Sequence, residues 1–433
     1  MMQIIKFPEK SSWENLLKRP VQDERKLAAL VEPILKEVKE EGDDALIRLN
    51  KKFDGYDSKE LIVAKEEIDQ AEDALSHDLK MAILMAKDNI SRFHEAQQQE
   101  ELKIETAPGV FCSRKSVAIE KVGLYIPGGT APLFSTVLML GIPAGIAGCH
   151  EVILCTPPGK NGDIHPAILY TARLVGVDKI IKTGGAQAIA AMAYGTASVP
   201  RVYKIFGPGN QYVTIAKQLV NAENTAIDMP AGPSEVAVLA DENAIPEFVA
   251  ADLLSQAEHG VDSQVILVST SEAVIEKTKL ALAAQLSRLP RKKIAEESLN
   301  HSMALLVHNQ EEALALLNQY GPEHLILAVE HGIEVAKSVT NAGSVFIGNF
   351  SPEAVGDYAS GTNHTLPTNG FARAYSGVSL DSFVKKITFQ QLSREGIKSI
   401  GKAVELMAEA EELMGHKEAV SVRLKYLNDK GDV

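Results

Sequence analysis

The chain has 433 residues, of which 45% are hydrophobic and 23% are charged. This length exceeds the usual size of a single domain, so we expect two main domains with appendages. The formal net charge of -13 at pH 7 argues against a basic footprint for nucleic acid, and an acidic surface of this kind mainly keeps a protein in solution.

No segment of the sequence is typical of a secretory leader or a membrane span. The first 20 residues lack a continuous apolar run, and the longest nearly apolar stretch, 137–149, is too short and too rich in glycine to cross a bilayer. Cys112, Cys149 and Cys155 are an odd number without paired spacing, as expected in a reducing compartment. We predict a cytoplasmic protein with structural thiols and no membrane partner. A nucleophilic thiol for aldehyde chemistry is the alternative.

In chain order, an amphipathic arm over 1–24 is followed by a helix-rich region over 25–110. From Val117 the pattern changes to short β-rich runs, such as VILCTPP and HLILAV, which alternate with helices rich in small residues. This alternation indicates an α/β protein with parallel sheets and crossover helices, and it divides near Ser234. The predicted parts are an N-terminal arm at 1–24, a discontinuous first α/β domain at 25–124 and 235–380, a second α/β domain at 125–234, and a C-terminal helical tail at 381–433.

Three glycine turns follow predicted strands, at 127–129, 183–187 and 206–210. Ligands collect beyond the carboxyl ends of parallel strands, and the N-terminus of a following helix offers N–H groups to an anion. The dinucleotide fingerprint is incomplete because Tyr212 stands in place of its third glycine, and a Walker A sequence is absent. The glycine turns are therefore about equally consistent with a nucleotide or phosphate site and with tight βα connections that bind nothing.

The segment DLLSQAEHG closes a predicted amphipathic helix that begins near Pro246 and stops at Gly260. Gln256 and His259 lie three residues apart, which places them on one face of the last turn. This spacing suits a metal clip, but taken alone the pattern is more often that of a solvated helix end. Further imidazole and carboxylate groups stand in the loops GPEH, GDYASGTNH and EELMGHKEAV.

Gln256, His259, Asp357 and His416 together offer nitrogen and oxygen ligands that suit zinc or another borderline divalent ion. Because His416 is remote and lies in the tail, it must fold back or come from another subunit. The adjacent Glu323-His324 is the natural acid/base pair, since imidazole accepts protons near neutral pH. The alternative is that these two residues merely begin the strand HLILAV.

Taken together, the motifs DMPAGPSE, SQAEHG and GPEHL, in this order, are similar to those of the histidinol dehydrogenase family. Nearly the whole chain takes part, including EEGDDALIRLNKKFDGY, GPGNQYVTIAKQ and GHKEAV. The resemblance implies two incomplete Rossmann-like domains and a homodimer in which the tail takes part. It also implies one Zn²⁺ per subunit and the oxidation of L-histidinol through L-histidinal to L-histidine with two NAD, the last steps of histidine biosynthesis.

The same resemblance assigns roles to individual residues. It implies zinc ligation by Gln256, His259, Asp357 and His416, the last from the neighbouring subunit. It implies substrate contacts by Ser234, His324, His364 and Glu411 together with the four zinc ligands, and NAD contacts by Tyr125, Gln187 and Asn210. His324 is expected to take the hydroxyl proton in the first hydride transfer and to assist the second, while Glu323 activates water to attack the aldehyde.

Three alternatives remain at this point. The first is a paralogous zinc- and NAD-dependent dehydrogenase of another small diol or amino alcohol, which would not need a pocket for imidazole. The second is a zinc hydrolase in which Glu323 activates metal-bound water, and it would turn over without NAD. The third is a nucleotide-binding scaffold without catalysis, which the intact acid/base pair disfavours.

Overall fold

The computed structural model describes residues 2–20, 24–128, 131–177, 179–230 and 232–430. Gly129 of the first glycine turn, parts of the predicted arm and the last residues of the predicted tail lie outside the described residues. The chain divides into a first unit, Met1–Gln97 with Ile119–Phe383, and a second unit, Gln98–Ala118 with Val384–Val433. Within the described ranges, no helix has the length and apolar character that a membrane crossing requires.

The strands, in chain order, are β1 (Gln3–Lys6), β2 (Leu102–Ala107), β3 (Val110–Ala118), β4 (Lys121–Tyr125), β5 (Glu151–Thr156), β6 (Lys179–Lys182), β7 (Lys204–Phe206), β8 (Ala226–Ile227), β9 (Glu235–Ala240), β10 (Gln264–Ser269), β11 (Met303–Leu306), β12 (His324–Ala328), β13 (Ser344–Ile347) and β14 (Val384–Leu392). The helices are α1 (Trp13–Leu16), α2 (Glu24–Glu41), α3 (Asp43–Phe53), α4 (Lys65–Gln70), α5 (His77–Glu95), α6 (Phe134–Ala147), α7 (Pro166–Leu174), α8 (Gly185–Tyr194), α9 (Gln211–Ala222), α10 (Pro246–Ala257), α11 (Glu272–Leu286), α12 (Lys292–Leu299), α13 (Gln310–Tyr320), α14 (Gly332–Ala336), α15 (Glu353–Tyr358), α16 (Arg394–Ala410) and α17 (Met414–Lys430). Short 3-10 turns lie at Lys10–Ser12, Ala71–Ala74, Phe371–Arg373 and Leu380–Phe383.

A six-stranded sheet in the order β1-β11-β10-β9-β12-β13 is parallel throughout. Its central strands EVAVLA and QVILVS are buried along their whole length, as expected for a parallel sheet covered on both faces. In the register of β12 with β9, His324 lies opposite Val236. The amino ends of these two strands are therefore adjacent.

A five-stranded sheet in the order β6-β5-β4-β7-β8 is also parallel throughout. Apolar residues of α5, α6 and α7 form one core cluster of this sheet, and those of α2, α3, α8 and α9 form another. The predicted α/β class with two parallel sheets is thus confirmed.

Helices α2 and α3 pack differently from the predicted grouping of 25–124 with 235–380. Leu27, Val31 and Leu35 on the apolar face of α2 share a core with α8 and α9, which belong to the five-stranded sheet. The sequence pattern predicts a helix with an apolar face, but it does not indicate which sheet that face covers. Packing therefore joins α2 and α3 to the five-stranded sheet, whose strands β5 to β8 lie in the predicted second domain.

The two predicted appendages are not purely helical. In the N-terminal arm, β1 pairs with β11 at the edge of the six-stranded sheet, and Trp13 and Leu17 are buried in its core. In the C-terminal tail, β14 pairs antiparallel with β3, and β3 pairs with β2. Local periodicity did not reveal these strands because their partners are distant in sequence. The second unit therefore contains a three-stranded antiparallel sheet together with α16 and α17.

Candidate functional site

Glu323 and His324 lie at the amino end of β12 and are only 7% and 3% exposed. Both are held by the backbone of Glu235 on the neighbouring strand: Glu323 Oε2 accepts from the N–H of Glu235 at 2.9 Å, and His324 Nδ1 is 3.2 Å from its carbonyl oxygen. Because a carbonyl oxygen only accepts, Nδ1 carries the proton in this contact. Nε2 is then the basic ring nitrogen, and it lies 3.7 Å from Asp357 Oδ1.

The pair is surrounded by carboxyl groups. His324 Nδ1 is 3.6 Å from Glu323 Oε2 and 3.8 Å from Glu353 Oε2. Burial raises the pKa of Glu323 to about 8. Burial by itself lowers the pKa of His324, but the carboxyl groups of Glu323, Asp357 and Glu353 outweigh it and raise this pKa to about 10. The centre of the site therefore favours positive charge.

Gln256 lies in the last turn of α10 and donates through Nε2 to Glu353 Oε2. Its Oε1 is buried and has no hydrogen-bond partner among the described residues. Ligand atoms of His324, Glu353 and Asp357 all lie within 4.8 Å of one another. A buried amide oxygen without a donor, next to carboxylates and an imidazole, fits a divalent cation with nitrogen and oxygen ligands. Sequence reasoning missed Glu353, although its i,i+4 spacing from Asp357 was a usable signal.

His259 is exposed and lies beyond the helix that was predicted to carry it. The helix begins at Pro246 as predicted, but α10 ends at Ala257, before Gly260. The N–H of His259 donates to the carbonyl oxygen of Gln256 at 3.2 Å, an i→i−3 bond that tightens the chain into a turn. Gln256 and His259 are thus close in the chain, but they are not on one helical face.

Three of the eight predicted substrate residues, Ser234, His259 and His364, line one cavity of about 530 Å³, whose wall also includes Glu323. The ring of His364 is oriented at both nitrogens: Nδ1 is 2.8 Å from the carbonyl oxygen of Asp357, and Nε2 is 3.0 Å from Thr136 Oγ1. Burial lowers the pKa of His364, so this imidazole is neutral near pH 7. A neutral, oriented ring here suits a small polar ligand.

A larger cleft of about 1460 Å³ is lined by Tyr125, Gln187 and Asn210. The Tyr125 hydroxyl accepts from the N–H of Gly185 at 3.1 Å, and Asn210 caps α9 by accepting from the N–H groups of Tyr212 and Val213. Gln187 Nε2 is buried and without a partner among the described residues. A buried donor of this kind fits a ligand with acceptor groups in the cleft.

The third glycine turn, beside the smaller cavity, requires a glycine where it passes the end of β4. Gly207 has φ +126°, and a Cβ atom added there would lie 2.1 Å from the carbonyl oxygen of Tyr125. Only glycine tolerates both conditions. Pro127, Asn210 and Tyr212 line the cleft and the smaller cavity alike, so the two share a wall.

The two sheets contribute opposite strand ends. Tyr125 and the glycine turns lie at or after the carboxyl ends of β4, β6 and β7, where ligands were expected. Ser234 and Glu323 instead precede β9 and β12, and His324 begins β12. These residues meet because β9 and β12 are paired neighbours, so their first residues are adjacent.

Glu411 and His416 belong to the second unit. Glu411 follows α16, His416 lies in the first turn of α17, and both are exposed. Their predicted roles stay predictions. Among the thiols, Cys155 is buried, while Cys112 and Cys149 are half-buried. Burial raises the pKa of Cys149 to about 11 and that of Cys155 further, so both are poor nucleophiles at neutral pH.

Comparison with known proteins gives one family. The family model described as "Histidinol dehydrogenase" matches residues 17–424. The chain is 60% identical over 427 residues to a histidinol dehydrogenase of Bacteroides thetaiotaomicron, covering 99% of this chain and 100% of the relative. It is 52% identical to one of Haemophilus influenzae, over 95% of this chain and 96% of the relative. The crystal structure of histidinol dehydrogenase from Elizabethkingia anophelis is similar, with TM-score 0.96, 56% identity and 99% coverage of both chains.

Proposed function

The chain belongs to the histidinol dehydrogenase family, and on that premise we propose how its residues carry out the oxidation. It is an oxidoreductase that acts on histidinol in histidine biosynthesis. We assign it the four-electron oxidation of L-histidinol through L-histidinal to L-histidine. The single observation that carries the mechanism is the buried His324, whose Nδ1–H is held by the Glu235 carbonyl oxygen while Nε2 is left as the base.

NAD is the proposed hydride acceptor, one molecule for each oxidation. The cleft beside the catalytic cavity has the volume for an elongated cofactor, and Tyr125, Gln187 and Asn210 all line it. The buried Gln187 Nε2 requires an acceptor that the described residues do not supply. The shared wall at Asn210 brings a cofactor in the cleft next to a substrate in the cavity.

Zn²⁺ is the proposed resident metal, with Gln256, His259 and Asp357 as ligands from one subunit and His416 from its partner. The unpartnered Oε1 of Gln256 and the carboxylate of Asp357 are the supporting observations in the first unit. When bound, the cation would hold the amino and imidazole nitrogens of the substrate and offset the negative charge that raises the pKa of His324. Ser234 and His364, with Glu411, are the proposed further substrate contacts.

The proton transfers use the two buried residues in turn. His324 accepts the hydroxyl proton at Nε2 as hydride leaves the substrate carbon, which gives the aldehyde. Glu323 then takes a proton from water as the water oxygen adds to the aldehyde carbon, and protonated His324 returns its proton to the aldehyde oxygen, which gives the hydrate. His324, neutral again, accepts a hydroxyl proton from the hydrate as the second hydride leaves. Burial of both side chains keeps bulk water away from these steps.

We further propose a homodimer and a cytoplasmic location. A homodimer with shared sites follows from the proposed role of His416, because the described ligands of the first unit form an incomplete set without it. A cytoplasmic location agrees with the three free cysteines and with a biosynthetic reaction. A zinc hydrolase and a dehydrogenase of another alcohol are not favoured by the family match.

The deciding experiment measures NADH formed per L-histidinol consumed by purified, zinc-loaded protein, with a chelator-treated sample in parallel. We expect two NADH per histidinol, activity lost on chelation, and activity restored by zinc. Formation of one NADH per histidinol, with accumulation of L-histidinal, would contradict the assignment of the second oxidation to this protein. Turnover without NAD would overturn the cofactor assignment.

A further inference from the structure

One residue outside the assigned site holds both catalytic groups. Glu235 begins β9, and its main chain donates to Glu323 Oε2 at 2.9 Å and faces His324 Nδ1 through its carbonyl oxygen at 3.2 Å. The second contact also determines which ring nitrogen of His324 is basic. The position of this one backbone segment therefore sets the acid/base geometry on the neighbouring strand.

The side chain of Glu235 is fixed by groups from distant parts of the first unit. Its carboxylate pairs with Arg19 of the N-terminal arm, where Nη2 lies 2.8 Å from Oε2 and Nε bonds to Oε1. The N–H of Asn369 donates to Oε1 at 2.7 Å. The side chains of Glu235 and Arg19 are 2% and 10% exposed. This is a bidentate, almost fully desolvated ion pair.

Arg19 is itself held in place by the end of α13. Its guanidinium lies over the Tyr320 ring at 3.9 Å and donates through Nη2 to the Tyr320 carbonyl oxygen at 3.0 Å. Replacing a buried ion pair by apolar residues is often neutral or stabilising, so stability alone is a weak reason to keep one. Its best-supported use is to fix a unique arrangement, and here the arrangement is that of Glu235 against Glu323 and His324.

We propose that Arg19 and Glu235 are positioning residues for catalysis, by which the N-terminal arm fixes the tautomer and orientation of His324 and the carboxylate of Glu323. This inference rests on the proposed catalytic roles of those two residues. Neither Arg19 nor the Glu235 side chain needs to contact substrate. Their effect is exerted through the backbone of residue 235.

Arg19→Met leaves a buried carboxylate without its cation, and we expect kcat for histidinol oxidation to fall about 10- to 100-fold, as for other groups that orient catalytic residues. The KM for NAD should change less than about twofold, because Tyr125, Gln187 and Asn210 lie on β4 and at α8 and α9, in the part of the first unit built on the five-stranded sheet. The kcat of Arg19→Lys should lie between those of the wild type and Arg19→Met, since lysine keeps the charge without the bidentate geometry.

The double variant Arg19→Met with Glu235→Met separates positioning from stability. We expect its thermal midpoint to recover to that of the wild type or above, because no buried charge is left unpaired, while kcat stays low. Leu17→Ala is the matched control, since Leu17 is buried in the same arm and belongs to the sheet core, but its apolar side chain cannot pair with the Glu235 carboxylate. It should lower the thermal midpoint with little effect on kcat.

If the proposed function is wrong, the wild-type protein itself will not oxidise histidinol. The positioning role is tested only by comparing the variants with an active wild type. If the wild type is active and the double variant retains full kcat, Arg19 and Glu235 do not position the site. An equal loss of kcat in Leu17→Ala would assign the effect to docking of the arm as a whole, and it would also overturn the inference. If Arg19→Met does not fold, Arg19→Lys and the double variant decide the question.

Discussion

Gln256 donates a hydrogen bond through Nε2 to the carboxylate of Glu353, and its own Oε1 is left buried and unpartnered among the described residues. A carboxylate only accepts, so this bond turns the amide nitrogen of Gln256 toward Glu353 and leaves the amide oxygen free to face a ligand. Glu353 thus selects the amide oxygen, which can bind a cation, over the amide nitrogen, which cannot.

Removing Glu353 should therefore weaken metal binding without removing a proposed ligand. In Glu353→Ala the Gln256 amide can rotate, and we expect the affinity for Zn²⁺ to fall about 10- to 100-fold, the range for groups that orient metal ligands. Glu353→Gln can still accept from Nε2 through its amide oxygen, so its loss should be smaller. Competition with a chromophoric chelator measures these affinities directly and needs no turnover.

A suitable control for that experiment is Gln285→Ala on α11, which removes an amide that bonds to the carbonyl oxygen of Glu247. Its zinc affinity should equal that of the wild type. If Glu353→Ala also binds zinc as the wild type does, the orientation of Gln256 is not what Glu353 contributes.

His324→Ala and Glu323→Ala should both fold, retain zinc and lose turnover. Each replaces a group that transfers a proton, and general acid–base catalysis typically contributes about 10²- to 10⁴-fold to the rate. With L-histidinol as substrate, turnover to L-histidine is expected to be lost in both variants, because the full reaction needs both groups. With L-histidinal supplied as substrate, Glu323→Ala should show the greater loss, because Glu323 is proposed to activate the water that forms the hydrate.

The measurement is NADH formation from each substrate, alongside zinc content and thermal midpoint. Normal rates in both variants would refute the assignment of the pair. A loss confined to L-histidinol in Glu323→Ala would instead place Glu323 in the first oxidation.

The residues of the site differ in how far local sequence can predict them. Glu323 and His324 are adjacent, and a strand pattern follows them, so their place together at the start of a strand could be predicted. Their surroundings could not, because Glu235 meets them only through the pairing of β9 with β12, and Arg19 comes from the arm. The same non-local pairing accounts for β1 and β14, which local periodicity gave no reason to expect. Local pattern predicts elements, whereas the site depends on which elements become neighbours.

Asp54, on the wall of the larger cleft, should make the free energy of unfolding depend on pH. Burial raises its pKa to about 6, above about 3.9 in an unfolded chain. The folded protein thus keeps a proton that the unfolded chain has released, so this contribution is fully present below about pH 4 and is lost as the pH rises to about 6. Relative to Asp54→Asn, the free energy of unfolding of the wild type should fall by about 1 kcal/mol between about pH 4 and pH 7. This is less than the full pKa shift implies, because Asp54 keeps contact with solvent.

Urea unfolding of both proteins without cofactor, at several values of pH in this window, gives the difference in free energy of unfolding. A difference that is constant with pH would show that Asp54 has an ordinary pKa. A wild type that gains stability relative to Asp54→Asn as the pH rises would indicate a lowered pKa, and hence a cation partner for this carboxylate.

The proposed sharing of sites between subunits can be tested by complementation. His416→Ala removes a ligand given to the partner's site, whereas Glu323→Ala removes a group from a subunit's own site. In a heterodimer of the two variants, one site combines both defects and the other has neither, so mixing two nearly inactive proteins should restore up to about half of the wild-type activity per dimer. Differently tagged subunits, refolded together and purified through both tags, provide verified heterodimers for the assay. If each subunit supplied its own His416, every site would keep one defect, and the heterodimers would be as inactive as the parent proteins.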